Sequence, residues 1–262
     1  MFTLGADVEV FARDSSGKAI ALCGMIGGTK QRPKQISGMS RGFMVQEDNV
    51  SIEYNIPPAY NIDEFVSHIS SMGQRVSDIL NKLKLSPVNE ASISFDEDQL
   101  QHPQAKVFGC EPDYNAWTKT ENSRPHCENK NLRTAGGHVH VGTTSVDMIT
   151  GIRFMDLYLG VPSILIDDSV ASATRRELYG KAGAMRPKPY GFEYRTLSNF
   201  WMFSKELTTW VYQNAQLAMN RSDVQKITII EAQQIQECIN TGNTKLAQEL
   251  IAKYGVPLPK KV

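Results

Sequence analysis

Hydrophobic and polar residues alternate strictly in four short segments of the chain. In "ADVEVFA" Asp7 and Glu9 flank Val8, in "VSIEYNI" Glu53 and Asn55 flank Tyr54, in "GGHVHVG" His138 and His140 flank Val139, and in "FEYRTL" Glu193 and Arg195 flank Tyr194. Side chains at i and i+2 of a strand share a face, so each segment predicts a strand with one apolar side and one polar side. An antiparallel sheet with helices over its apolar side would gather the four polar rows on one surface. A further strand is predicted in "GKAIALCGMIGG", after a Ser-Ser-Gly turn.

Helical spacing takes over elsewhere. Asn61, with Glu64 three residues on, opens a helix that carries Phe65, Val66, Ile69, Val76, Ile79 and Leu80 on one side and ends near Leu85. A second helix is predicted over about Val146 to Gly160. The chain is predicted to be helical from about Phe203, with Leu207, Trp210, Val211 and Leu217 at helical spacing, then around Val224 to Ile239, then from Thr244 to Tyr254 before Gly255 and Pro257. Two segments carry no period. Residues 86–131 are polar, contain Pro103, Pro112 and Pro125, and are predicted to form an irregular insertion that reads the substrate through Tyr114 and Trp117. "ASATRRELYGKAGAMRPKPYG" is predicted to be a basic loop. The fold class is therefore α+β, with residues 1–262 as one globular domain.

Composition narrows the function classes. With 262 residues, 41% hydrophobic, the chain has material for one sizeable core. Lys plus Arg and Asp plus Glu both number 28, so no charge excess marks a nucleic-acid partner or an anionic membrane surface. The N-terminus has acidic residues at positions 7 and 9 and no secretory pattern, and Arg153 and Asp156 interrupt the longest apolar run, which is predicted to be a buried helix and not a membrane span. Cys23, Cys110, Cys127 and Cys238 form no CxxC and read as reduced thiols of a cytoplasmic protein. His126 and Cys127 adjoin but carry no assigned role.

The polar rows hold the candidate chemistry. Any one of them fits an ordinary solvent-facing strand, but together they supply Asp7, Glu9, Glu53, Glu193, two imidazoles and a guanidinium, where exposed strands favour Thr, Lys and Ser. Carboxylates crowded on one face repel unless cations lie among them, so the set implies a metal. Many oxygens with one or two imidazoles suit Mg²⁺ or Mn²⁺ better than Zn²⁺, and such ions usually share a phosphate ligand. Arg195 can bind that phosphate bidentately, and Arg175, Arg176, Lys181 and Arg186 lie just upstream. Phosphoryl transfer needs this combination of positioning and charge neutralisation; a solvated basic connection is the alternative for the loop. Gly136-Gly137, and Gly27-Gly28 with Lys30, allow close backbone approach to a ligand. There is no P-loop, no GxGxxG and no nucleophile elbow.

The ordered set "GADVEVF", "IEYN", "GGHVHVG", "RRELYGKAGAMRP" and "GFEYRTL", from about Leu4 to Trp201, resembles the phage-type COOH-NH2 (carboxylate-amine) ligases of the glutamine synthetase-like amidoligase superfamily. The resemblance implies a curved antiparallel sheet around divalent metals and ATP, with helices on its outer face. It implies transfer of the γ-phosphoryl group to a carboxylate, attack by an amine on the acyl phosphate, and release of ADP and phosphate. It casts Asp7, Glu9, Glu53, His138 and Glu193 as metal ligands. His138, His140, Arg175, Arg176 and Arg195 become nucleotide-facing, and Glu53, Glu193, Arg195 and Arg186 catalytic. The first strand begins with Asp where glutamine synthetases have Glu, and the chain is far shorter, so their N-terminal domain and ring assembly are not implied. The expected partners are small-molecule or peptide carboxylates and amines. A phosphagen-type kinase, needing no amine, and a non-catalytic metal- or nucleotide-binding module are the competing readings.

Overall fold

The computed structural model describes residues 2–106, 113–123 and 125–260, so Cys110 and Pro112 lie outside the described residues. In chain order the strands are β1 (Phe2–Arg13), β2 (Ala19–Ile20), β3 (Lys34–Gln35), β4 (Met44–Asp48), β5 (Ser51–Asn55), β6 (Ser86–Val88), β7 (Ser92–Ser94), β8 (Tyr114–Asn115), β9 (Thr120–Glu121), β10 (Leu132–Thr134), β11 (Gly137–Thr143), β12 (Ala184–Lys188) and β13 (Gly191–Tyr194). All but β7 and β10, which pair with each other, join one sheet of order β3-β4-β5-β1-β11-β13-β12-β8-β9, with β2 and β6 on the far end of β1. Every pairing between these strands is antiparallel.

The apolar rows behave as the alternation predicts. Ala6, Val8, Val10, Ile52, Tyr54, Val139, Val141, Phe192 and Tyr194 are buried together. Helices cover them: α1 (Ile62–Lys82), α2 (Met148–Met155), α3 (Val161–Ile166), α4 (Val170–Leu178), α5 (Lys205–Ser222), α6 (Ile229–Thr241) and α7 (Thr244–Tyr254). Asn61 caps α1, accepting from the Glu64 N–H at 2.9 Å, and the buried stripe Phe65, Ile69, Met72, Val76 and Leu80 faces the sheet. Each such side chain contributes about 1.5–3 kcal/mol through burial. The structure is thus α+β, a large antiparallel sheet with helices packed on one face.

The second helix runs further than predicted. A π turn at Asp156–Gly160 joins α2 to α3, with Val161 N donating to Asp156 O immediately before Pro162, which has no N–H to offer. The whole run Met148–Ile166 is long and apolar enough to cross a membrane, but it is 72% buried inside the protein, where α5, α6 and α7 pack on it. It is a core helix.

Three expectations need correction. Of "GKAIALCGMIGG" only Ala19 and Ile20 join a strand, because the buried Glu47 carboxylate takes the N–H groups of Gly24, Ile26 and Gly27 at 2.8–2.9 Å, holding the backbone in turns. The basic loop is largely α4, capped by Ser169, and β12; charged residues at buried helix positions such as Arg175 hide the apolar period. Residues 86–131, expected to be irregular, lend β6, β8 and β9 to the main sheet and β7 to a pair with β10. The C-terminal helix starts at Lys205, after a 3₁₀ turn at Asn199–Phe203.

Candidate active site

Register brings the polar rows together. Asp7 lies opposite both His138 and Asn55, Glu9 opposite Glu53, and His140 opposite Glu193, which in turn faces Arg186 on β12. On the other flank, Gln46 of β4 lies opposite Glu53 and donates to its Oε2 at 2.8 Å. The result is two groups of acidic and imidazole side chains on one sheet face: Asp7, His140 and Glu193, and Glu9, Asp48 and Glu53. In each, one ligand atom per residue lies within 4.8 Å of the others.

The first group is rich in cations. His140 Nε2 lies 2.9 Å from Asp7 Oδ2, and Asn55 donates to the other Asp7 oxygen. Glu193, 1% exposed, meets Arg195 Nη1, Lys188 Nζ at 2.8 Å, His138 Nδ1 at 3.6 Å and Arg186 Nη1 at 3.9 Å. Burial alone would push the Glu193 carboxyl up, but Arg195 above all, with Lys188, holds it well below the usual carboxylate range. Burial and then Arg195 push the His138 imidazole well below its ordinary value, so it is neutral, and Arg195 Nη1 donates to its Nδ1 at 3.2 Å.

The second group lacks such compensation. Burial, then Asp7, Asp48 and Glu9, push the Glu53 carboxyl well above the usual range. Burial and Asp48 push Glu9 up to about 7, against the pull of the Gly136 N–H that reaches Glu9 Oε2 at 2.6 Å and of Arg195 and Arg175. A cavity of about 300 Å³ opens on this side, walled by Glu9, Asp48, His138, Asp113, Arg175 and Arg195, with Phe11, Val50, Leu132 and Leu178 as apolar lining. That volume is at the lower end for a small-molecule site.

Nine of the ten residues selected from sequence share this face or its cavity: Asp7, Glu9, Glu53, His138, His140, Arg175, Arg186, Glu193 and Arg195. Arg176 stands apart, turned to Asp167 with Nη1 3.9 Å from Oδ2. His140, and not His138, joins the carboxylate cluster. Arg175 is buried and spends its guanidinium on the carbonyls of Thr196 at 2.9 Å and Arg195 at 3.4 Å, which props the strand that carries Arg195. Gly137 serves the fold and not a ligand, since a Cβ there would lie 2.5 Å from Ser198 O and from Trp201 Nε1. At Gly136 a Cβ would meet the His138 ring at 2.3 Å, so the glycine makes room for the imidazole.

Trp117 is an anchor in place of a substrate contact: its indole N–H donates to buried Asp156 at 2.6 Å and Arg153 stacks over its ring at 5.0 Å. Tyr114 is 41% exposed on β8, one strand in from the sheet edge. Sequence reasoning missed Asp48 and Gln46, because β4 has the acidic Glu47 on its core side and so shows no alternation; the signal was the Asp-Asn turn of a hairpin leading into "VSIEYNI". It also missed Lys188, two residues past Arg186, Tyr190, whose hydroxyl hydrogen-bonds His140 Nδ1, and Asp113, 3.3 Å from Arg195 Nε.

Two solved structures are similar over 99% of this chain: apo GmaS without ligand, at 10% identity, 70% of that chain and a TM-score of 0.39, and the GmaS/ADP complex in conformation 1, at 11% identity, 71% of that chain and a TM-score of 0.35. No curated protein matches the chain. Residues 130–258, which carry β11, α4, β12 and β13 and so His138, His140, Arg175, Arg186, Glu193 and Arg195, match a family model. Over that span the chain is similar to the phage phiEco32-like COOH.NH2 ligase-type 2 family.

Proposed function

We propose that the protein is an ATP-dependent, ADP-forming ligase that joins a carboxylate to an amine through an acyl phosphate. The ligase family of residues 130–258 supports the reaction class, and one observation carries the site. Strand register adds Asp7, Glu9, Asp48 and Glu53, outside that span, to the same face as His140, Glu193 and Arg195. The donor set is oxygen-rich with one imidazole, which fits Mg²⁺ or Mn²⁺. Asp7, His140 and Glu193 would hold one ion and Glu9, Asp48 and Glu53 another. Divalent ions supply neutralisation of phosphate oxygens.

The chain's own residues do the rest. Arg195, fixed by Glu193 and Asp113, and Arg186 beside it offer planar donors to a phosphoryl group, whose charge shifts most in the transition state. Neutral His138 accepts from Arg195 and keeps that guanidinium turned into the cavity. The apolar wall of Phe11, Val50, Leu132 and Leu178 offers a slot for a nucleobase and excludes water from the reacting groups. The proposal takes residues 1–262 as one catalytic domain acting in the cytoplasm on small-molecule or peptide substrates.

The test is ADP release with Mg²⁺ against pooled carboxylates and amines, followed by mass spectrometry of the product. ADP release that requires both pools supports the ligase. ADP release without an amine would mark a kinase, and no ATP binding in millimolar Mg²⁺ would leave a module without catalysis.

A further inference from the structure

From Met25 to Gln46 the chain carries Lys30, Arg32, Lys34 and Arg41 and no acidic residue. The segment is rigidly built. Thr29 and Arg32 exchange both backbone hydrogen bonds at 3.0 Å, closing a two-residue hairpin with Lys30 and Gln31 at its tip. Its base is pinned to β4: Glu47 holds the N–H groups of Ile26 and Gly27, and Gly28, at φ +85°, passes so close that a Cβ would lie 2.7 Å from Val45 O. The tip therefore has a fixed place, and Thr29, Lys30 and Gln31 border the cavity that Glu9, Asp48 and His138 also wall.

Four cations border that cavity. Arg133 donates to Asn49 Oδ1 and to the carbonyls of Ala105, Lys130 and Leu132, Arg175 to two carbonyls, and Arg195 to Glu193 and Asp113. The Lys30 side chain is exposed and makes no hydrogen bond or ion pair among the described residues, and the same holds for the side chains of Arg32 and Lys34 behind it. The internal arginines shape the site, while the hairpin holds charge that the protein itself does not use. A cation fixed at a cavity mouth, with its backbone ordered before any ligand arrives, loses little freedom on binding an anion.

We propose that the Thr29–Arg32 hairpin is an anion-binding element at the mouth of the site, with Lys30 as its contact and Arg32 and Lys34 as supporting charge. The ligand group it takes is a phosphate or a carboxylate beyond the one that reacts. This deepens the ligase reading and rests on it for the identity of the cavity: either the hairpin holds the nucleotide's phosphates or it selects acidic substrates such as a peptide rich in carboxylates.

The test is calorimetric titration of the full chain, in Mg²⁺ at low ionic strength, with inorganic tripolyphosphate and separately with a triglutamate peptide. The variants are Lys30→Arg, the triple Lys30→Gln/Arg32→Gln/Lys34→Gln, and a control of equal charge change at exposed Lys82, Lys84 and Lys245. The triple variant should bind one probe roughly 10-fold more weakly, the scale of several exposed ion pairs, while Lys30→Arg and the control stay near wild type. Weaker tripolyphosphate assigns the hairpin to nucleotide phosphate, and weaker triglutamate assigns it to an acidic substrate. Unchanged affinity for both probes, an equal loss in the control, or a wild-type chain that binds neither probe would overturn the proposal. No turnover enters this test, so a failed ligase reading shows in the ADP assay while the anion result stands or falls by itself.

Discussion

The two ends of the polar sheet face solve the same problem in opposite ways. Around Glu193, buried charge meets buried charge: Arg195, Lys188 and Arg186 surround one carboxylate, which stays ionised, with neutral His138 beside it. Around Glu53, Glu9 and Asp48 carboxylates crowd with no ion pair among the described residues, and both Glu53 and Glu9 are pushed up toward their neutral forms despite the pull of Arg195 and Arg175 on Glu9. The first end is largely charge-balanced by the protein's own cations, and the second asks for more positive charge from outside. A third carboxylate makes the contrast sharper. Asp156, directly behind β13, is fully buried but meets only neutral donors, Trp117, Gly183, Tyr194 and Thr196, and burial pushes it up to about 7 despite them.

Glu193→Gln should have the largest effect. It strands several buried cations, costing about 3–5 kcal/mol of stability, and removes a proposed ligand, lowering turnover at least about 10²-fold. Thermal melts and ADP release measure the two; a variant with half the wild-type activity would break the contrast at its stronger end. Asp156 comes next, through pH. Its folded value lies above its ordinary one, so the stability it lends is fully present below about 4 and is lost as pH rises through about 7. Between pH 5 and pH 7 the wild type should lose at most about 2 kcal/mol from this group, and Asp156→Asn should lose correspondingly less across the same interval in urea titrations.

Arg195→Lys keeps the charge and loses the planar fork. It should lower kcat about 10-fold, or 1.4 kcal/mol, while ATP affinity moves less, a split that steady-state kinetics and calorimetry resolve. Unaltered kinetics would remove Arg195 from the site. The smallest effect has the opposite sign. Glu53→Gln keeps the Gln46 hydrogen bond and relieves the crowd, so in chelator the variant should be more stable by on the order of 1 kcal/mol, yet gain less from added Mg²⁺ than wild type. A variant less stable than wild type in chelator would show that the second end is already balanced.

Legibility followed alternation. Asp7, Glu9, Glu53, His138, His140, Glu193 and Arg195 were found because each sits at i and i+2 about one apolar residue, a pattern that burial of one sheet face imposes on neighbouring positions. Asp48 escaped because Glu47, facing the core, gives β4 an acidic residue where the pattern needs an apolar one. Trp117 was assigned to substrate because an aromatic in a polar segment shows nothing of its partner; Asp156, 39 positions away, decides its role. The helix at Val170–Leu178 was hidden by Arg175, whose burial against backbone carbonyls is a long-range contact.

The sequence by itself determined the four alternating strands, their polar faces, the α+β class and the residue types of the candidate site, because these depend on period and chemistry along a few consecutive residues. Tertiary structure alone decided which carboxylates share a cluster, that His140 and not His138 joins one, that Arg176 turns away to Asp167, and that Lys30 is left at the cavity mouth without a protein partner among the described residues. The reason is register: sliding one strand by two residues keeps every face and every local pattern, but changes every pair across the sheet, and those pairs set the charge each group feels.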